Sequence, residues 1–389
     1  MRINSIHIRD FKVLHDVEIE PGKINVLIGS NGSGKTTILE AIGLLSLAMT
    51  DRIDNDSLRR KGIRLSSSNL YKSSSTKRSK SQVIRMSLKW EEEQKYDYSV
   101  SLYTPSDRAE WRISSEEINL EKGGKWGRSN RSQETYDNSV GMIMMEPNEI
   151  LYLVRPSAYQ LRQYAIYQPS TPFLRGESDP QQAVPVGLNG GRLAESVEEL
   201  LHQEGDELYF GSECIVDIHE LLEWADGISV SFPNKSNVNS AVATARRVLE
   251  VHDKWMRSSD RLTAYDVSEG ALYVLFLLTL ALHHKSPNVF SIDNFDQAMN
   301  PRLAQKFTRK FCELILKKEK TVFLTTHNPL VLDGLDLTND DIRLFVVERS
   351  RKTGETTIER ISTTKDLMAT DIPLSRMWPM GMIGGVPNI

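Results

Sequence analysis

Cysteine is nearly absent from this chain: Cys214 and Cys312 are the two among 389 residues. Two distant thiols offer neither zinc-ligand spacing nor a disulfide framework, and that scarcity fits a reducing compartment. Cys312 lies in the apolar run Phe311-Cys312-Glu313-Leu314-Ile315 and reads as a small core residue. Net charge is small too. Lys and Arg number 48 against 52 Asp and Glu, giving −4, so no global field draws nucleic acid or an acidic membrane, and any polyanion contact must be local. Long apolar runs are missing: Ala271–Leu282, the longest, is too short to span a bilayer and reads as a buried helix. Met1-Arg2-Ile3-Asn4 lacks the apolar run of a secretory signal. These absences lead us to expect a cytoplasmic protein. Internal repeats and sustained heptads are lacking as well, which excludes a long coiled coil.

What is present is the composition of a globular protein, 39% apolar and 26% charged, in a chain long enough for two or three lobes. Ile3, Ile6, Ile8 and Phe11, then Val17 and Ile19, predict two half-buried strands. A Pro21-Gly22 turn leads to a fully buried strand, Ile24 to Ile28, and Ile38, Leu39, Ile42 and Leu45 space a helix over about 36–48. Between 59 and 80 the character changes: Arg59, Arg60, Lys61, Arg64, Lys72, Lys77, Arg78 and Lys80 face no acid, and eight serines crowd 66–81. Charge of one sign with low apolarity predicts a mobile loop, and also a candidate contact to DNA or RNA phosphates. Residues 83–90, 96–103 and 111–120 read as an antiparallel meander, 121–138 as a polar loop, and 192–226 as a small helical lobe. Strand-like segments return near 228–232 and 248–251. From 262 to 361 the pattern runs strand, buried helix, strand, helix, strand, the order of a parallel sheet.

The phosphate chemistry is concentrated in a few places. Gly29-Ser30-Asn31-Gly32-Ser33-Gly34-Lys35-Thr36 is a complete Walker A loop between buried strand and helix, with Thr37 continuing the helix. Its glycines let backbone N–H groups turn inward on a β-phosphate, the helix N-terminus adds partial positive charge, Lys35 reaches the β/γ-phosphates and Thr36 offers a hydroxyl to Mg²⁺. Asn288-Val289-Phe290-Ser291-Ile292-Asp293 is a short strand ending in a carboxylate able to hold Mg²⁺ opposite Thr36. Thr321 to Thr326 is a strand delivering His327 to the same edge, where a histidine can serve a structural bond, a γ-phosphate or an attacking water. Ser268-Glu269-Gly270 opens the buried helix; Ser268 fits a simple N-cap, or a helix N-terminus offered to a γ-phosphate.

Together these residues resemble the ABC-type ATPases, in the branch that holds RecF, SMC heads and OLD-like ATPases. Ile8-Arg9-Asp10-Phe11-Lys12 leading into the Walker A strand is similar to that branch, Val267-Ser268-Glu269-Gly270 to its signature, Ala298-Met299-Asn300-Pro301 to its D-loop and His327 to its switch histidine. The resemblance implies an α/β P-loop head with an antiparallel β subdomain and a small inserted helical lobe, binding ATP and Mg²⁺. It also implies a Q-loop glutamine on the metal; Gln168 is the placement adopted, with Gln160 and Gln163 as competitors. Six segments are expected: 1–58 with Walker A, 59–81 basic and serine-rich, 82–170 an antiparallel β subdomain to the Q-loop, 171–261 a helical insert, 262–361 with signature, Walker B and switch histidine, and 362–389 a tail.

The resemblance further implies a second copy closing around ATP, as a dimer or larger oligomer. Chain length and the tail Trp378-Pro379-Met380-Gly381-Met382-Ile383-Gly384-Gly385 resemble stand-alone ATPases of bacterial anti-phage defence, whose partner is a nuclease or toxin effector. In place of the family's catalytic glutamate after Asp293 stands Asn294, so hydrolysis is expected to be slow unless Asp296 or His327 polarises the water. Two other functions compete, a RecF-like repair ATPase and a transporter ATPase subunit. Against the latter, Asp293 lies 258 positions after Lys35, with a meander and a lobe inserted between them. No Glu and Asp-x-Asp cluster of a nuclease follows the ATPase motifs. The apolar tail, 378–389, is expected to dock on its own head or on a partner.

Overall fold

The computed structural model describes residues 1–389 except 74–82, 104–110, 130–138, 146–147, 178, 203–217, 235–245, 258, 363–371 and 387–389. The chain opens on β1 (Arg2–Phe11) and β2 (Leu14–Ile19), whose alternating apolar residues bury one face. It continues into β3 (Ile24–Ile28), buried throughout, and α1 (Lys35–Thr50). After α2 (Asn55–Arg60) come β4 (Val83–Glu91), β5 (Lys95–Tyr103), β6 (Arg112–Leu120) and β7 (Gly124–Ser129). These join β1 and β2 in an antiparallel six-stranded sheet ordered β2-β1-β4-β5-β6-β7.

Helix α3 (Glu149–Arg162) leads to β8 (Ile166–Tyr167), and α4 (Leu193–Leu201) precedes β9 (Ala225–Ser231), β10 (Val248–Asp253) and β11 (Leu262–Thr263). The last part alternates α5 (Glu269–Leu282), β12 (Val289–Ile292), α6 (Pro301–Lys317), β13 (Thr321–Thr325), β14 (Ile342–Arg349) and β15 (Thr356–Ile361). A second six-stranded sheet runs β15-β14-β3-β13-β12-β8, parallel except for the β14–β15 pair.

Period-two side-chain alternation divides the interior in two. From the parallel sheet, Val26, Phe290, Leu324 and Leu344 enter one core with α5 and α6, while Leu27, Val289, Phe323 and Phe345 enter the other with α1 and the antiparallel sheet. Helix α1 is therefore sandwiched between sheets. That explains why it is apolar all round, and why Thr36 alone among its sixteen residues is not buried. Among the described residues no helix is long and apolar enough to cross a membrane.

Several sequence expectations are corrected. The basic segment is not a mobile loop over 59–73. Asp54 caps α2 through a reciprocal capping box with Ser57, and all five described cations have local partners. Arg59 meets Asp56, Arg60 meets Asp51, Lys61 is buried on the Arg162 carbonyl, Arg64 binds Glu40, and Lys72 lies over the Tyr103 ring. Lys77, Arg78 and Lys80 fall outside the described residues. The expected polar loop at 121–138 contains β7, held by a buried Arg128–Glu116 ion pair that Tyr98 joins. The strand-like segments expected near 228–232 and 248–251 are β9 and β10, and β11 completes a three-stranded antiparallel sheet β11-β10-β9 beside α4. The expected segment 1–58 contributes to both large sheets, because β1 and β2 pair with the meander rather than with β3.

The tail docks on its own head, as the first alternative expected. Met377, Trp378 and Ile383 enter the core under the parallel sheet.

Candidate nucleotide site

Three strands deliver the chemistry to one edge. At the end of β3 the chain turns through Gly29, whose φ of +147° and whose 2.1 Å clearance between an ideal Cβ and the Val347 carbonyl oxygen exclude any larger residue. The Ser33 carbonyl accepts from Thr356 Oγ1 at 2.8 Å, so β15 supports the loop from behind. Lys35 folds back and donates to the carbonyls of Gly29 and Ser30 at 2.8 and 2.9 Å. Burial lowers its pKa to about 8, against the pull of Asp293, so the ammonium is held charged but weakly solvated.

At the end of β12, Asp293 accepts from Thr36 Oγ1 at 3.0 and 3.1 Å and from Thr325 Oγ1 at 2.5 Å. Hydroxyl and carboxylate oxygens are hard donors of the kind Mg²⁺ selects, so Thr36 and Asp293 would suit it. Parallel pairing sets β8 beside β12, and the Asp293 amide donates to the Tyr167 carbonyl, so Gln168 emerges exposed at the level of Asp293. Gln160 instead binds Glu92, and Gln163 terminates α3, so neither competitor reaches this edge.

An open cleft of about 330 Å³ is lined by Asn31, Gly32, Lys35, Thr36, Asp293 and Asn294, with His327 across from them. Burial and the Lys35 charge lower the His327 pKa, outweighing Asp296 and Asp293, and so favour neutral imidazole. Asn294 has φ +58°, in the left-handed region that asparagine tolerates better than glutamate, and its amide donates to Thr325 Oγ1 at 2.9 Å. No residue pattern announces this backbone reason for an asparagine. Asp296 turns away: it is buried, accepts from Thr326 Oγ1 at 2.6 Å, has its pKa raised by burial, and does not line the cleft.

Arg349, which the sequence reading missed, lines the cleft, and so does Arg64, read from sequence only as part of the basic segment. Glu40, fully buried one turn beyond Thr36, takes Arg64 Nε at 2.7 Å and Lys12 Nζ at 2.7 Å, which aims Arg64 at the cleft. An acid at helical spacing inside an apolar run was the available signal.

The signature segment is built differently. Ser268 is exposed and its side chain makes no capping bond to α5, so the simple N-cap reading does not hold. A Cβ on Gly270 would stand 2.8 Å from the Ala298 carbonyl oxygen, so glycine is required where the D-loop passes. Asn300 caps α6 by accepting from Leu303 N at 3.0 Å. The Gln168 loop is tied to this helix: Tyr273 OH donates to the Pro169 carbonyl at 2.5 Å, and Thr171 donates to Glu269. Ser268, Gly270 and Asn300 line a separate hollow and do not line the Lys35 cleft.

A phosphate loop, a neighbouring strand that leads to a histidine and an acid-ended strand next to that one are the parts of a P-loop ATPase. Family models agree: one described as "AAA domain" matches residues 5–205, over half the chain, and one described as "AAA domain, putative AbiEii toxin, Type IV TA system" matches 161–333. Among curated proteins, the DNA replication and repair protein RecF of Oenococcus oeni is 44% identical over 57 residues, 14% of this chain and 15% of RecF. RecF of Clostridioides difficile is 36% identical over 72 residues, 18% and 19% of the two chains. The chain thus matches less than a fifth of the length of these relatives.

Among solved structures, an SMC head bound to the C-winged helix domain of ScpA aligns over 94% of this chain and all of that one, with TM-score 0.57 and 14% identity. The Pyrococcus furiosus SMC head bound to the C-terminal domain of ScpA aligns over 94% and 98%, with TM-score 0.55 and 13% identity. The chain belongs to the AAA-domain family and has the fold of an SMC head.

Proposed function

We propose that this chain binds Mg-ATP, closes into a dimer around it, hydrolyses it slowly, and acts as a switch on a partner effector. The observation that carries this reading is the separation of two half-sites on one molecule. Lys35, Thr36 and Asp293 are gathered in one cleft, while exposed Ser268 and half-buried Gly270 line a separate hollow. A helix N-terminus whose serine does not cap it suits an anion brought by another molecule. A second copy presenting Ser268 to the first copy's γ-phosphate uses both halves.

In this reading Lys35 and the loop amides of Gly29 to Gly34 hold the β- and γ-phosphates. Thr36, Asp293 and Gln168 would hold Mg²⁺, which would supply charge neutralisation at the phosphates. Neutral His327 orients the attacking water by hydrogen bonding. Asn294 can orient that water too but accepts its proton poorly, so a general-base contribution of ~10²–10⁴-fold is forgone and the closed state lasts. A long-lived closed state suits control of an effector such as a nuclease or toxin in anti-phage defence. Contact with DNA or RNA would rest on the basic segment 59–80, of which Lys77, Arg78 and Lys80 lie outside the described residues.

A second reading, a RecF-like repair ATPase, draws on the short RecF matches and differs in its partner. Purification of the chain from its native host with ATP bound distinguishes them: a nuclease or toxin supports the switch, and recombination factors support repair. Size measured with and without Mg-ATP tests the shared premise, and an unchanged mass would refute dimer closure.

A further inference from the structure

The tail does more than cover apolar surface, because it touches the two segments that carry the phosphate chemistry. At one end the short helix Leu374–Met377 packs on the short helix Pro329–Leu332, which begins two residues after His327, and the Ser375 amide donates to Asp333 Oδ1 at 2.9 Å. At the other end the chain reaches the back of the Walker A loop. An ideal Cβ on Gly385 would stand 3.3 Å from Gly29 Cα and 2.9 Å from Val346 Cγ1. The Gly385 amide donates to Glu348 Oε1 at 2.5 Å, on the strand that flanks β3. Trp378, nearly fully buried, fills the space between the two ends, and its Nε1 lies 3.5 Å from that same Cβ position.

We propose that residues 373–386 form a brace that positions the nucleotide loop, with Gly385 as the contact that sets Gly29 and the helix Leu374–Met377 as the contact that sets the His327 segment. The inference rests on the nucleotide reading of the Walker A loop. Gly29 begins the turn whose carbonyl holds Lys35, so a displacement at Gly29 is passed to the ammonium and to the amides that follow. The brace is one continuous piece of chain, so movement of the P-loop and movement of the switch histidine are coupled through it.

A paired substitution isolates the contact from the backbone. Gly381 and Gly385 both have φ +74°, but a Cβ at Gly381 meets nothing within 4 Å among the described residues, whereas one at Gly385 meets Val346 Cγ1 at 2.9 Å and Gly29 Cα at 3.3 Å. Gly381→Ala and Gly385→Ala therefore share the left-handed backbone penalty and differ in the P-loop contact. In the full-length protein, Gly385→Ala is expected to weaken Mg-ATP affinity at least about fivefold, the scale of a methyl forced into packed surroundings, with Gly381→Ala unchanged. Amide exchange over residues 29–36, measured without nucleotide, is expected to speed up in Gly385→Ala alone, with circular dichroism showing both variants folded.

Equal exchange and equal affinity in the two variants would overturn the brace. So would equal weakening in both, since that is a general stability effect. Wild-type protein that binds no ATP would overturn the nucleotide reading instead, and the exchange comparison would then still decide whether the tail holds the loop. Should Gly385→Ala fail to fold, Glu348→Gln weakens the same contact without adding an atom, and is expected to move exchange and affinity in the same direction.

Discussion

The two halves of the proposed ATP site are built on opposite plans. Around Lys35 the charged groups already have partners: the ammonium lies on two carbonyls, Asp293 takes Thr36 and Thr325, and Glu40 takes Arg64 and Lys12. Around Ser268 the serine is exposed, the helix is uncapped by it, and the neighbouring glycine is shaped by the passing D-loop. The first half is preorganised within one chain, so its contribution to binding needs no partner. The second gains its function only when something anionic is brought to it. That contrast is what a site shared between two copies requires.

Lys35→Ala strikes the preorganised half and should have the largest effect. Charge-assisted bonds to phosphate contribute about 1.5–3 kcal/mol, which corresponds to roughly a 10- to 150-fold weaker ATP affinity by calorimetry. Ser268→Arg strikes the other half. ATP affinity of the monomer should stay within about twofold, while the ATP-driven increase in mass by light scattering should vanish.

The protonation of Lys35 sharpens the contrast further. Its pKa of about 8 in the empty site rises when phosphates arrive, so ATP affinity should be level below pH 8 and weaken above it, by up to about tenfold per pH unit. Titrations between pH 7 and 9.5 check the sign; affinity that improves with rising pH would contradict it. The smallest effect is expected from Asn294→Glu. Turnover should rise severalfold in a phosphate-release assay, accompanied by about 1 kcal/mol loss of stability, because a glutamate at φ +58° is strained. Unchanged turnover would remove the reason given for slow hydrolysis.

Which parts were legible in the sequence follows the same division. The Walker A loop was readable because its chemistry is a local string, and β3 and α1 were readable because burial on both faces leaves continuous apolar runs. Asp293 and His327 were readable as ends of apolar strands, whereas the pairing of β8 beside β12, which brings Gln168 to the level of Asp293, is not displayed by a single sequence. The basic segment misled because charge counts do not reveal partners: Glu40 for Arg64 lies 24 positions away, and the Arg162 carbonyl for Lys61 lies 101 away. Strand β7 was missed because Gly124-Lys125-Trp126-Gly127-Arg128-Ser129 has no alternation, and its one buried anchor is an arginine neutralised by Glu116. Asn294 looked like the loss of a base, and its positive φ adds a backbone reason that no residue pattern announces.

The central claim, that Ser268 of one copy serves the Lys35 cleft of another, is tested most directly by mixing two defective proteins. Lys35→Ala retains an intact signature and Ser268→Arg an intact cleft, so a mixed pair contains one complete site. Neither variant alone should assemble or turn over ATP. The equimolar mixture should regain ATP-dependent dimers by light scattering and a fraction of wild-type phosphate release. A mixture as inert as its components, or Ser268→Arg dimerising with ATP on its own, would contradict the shared site.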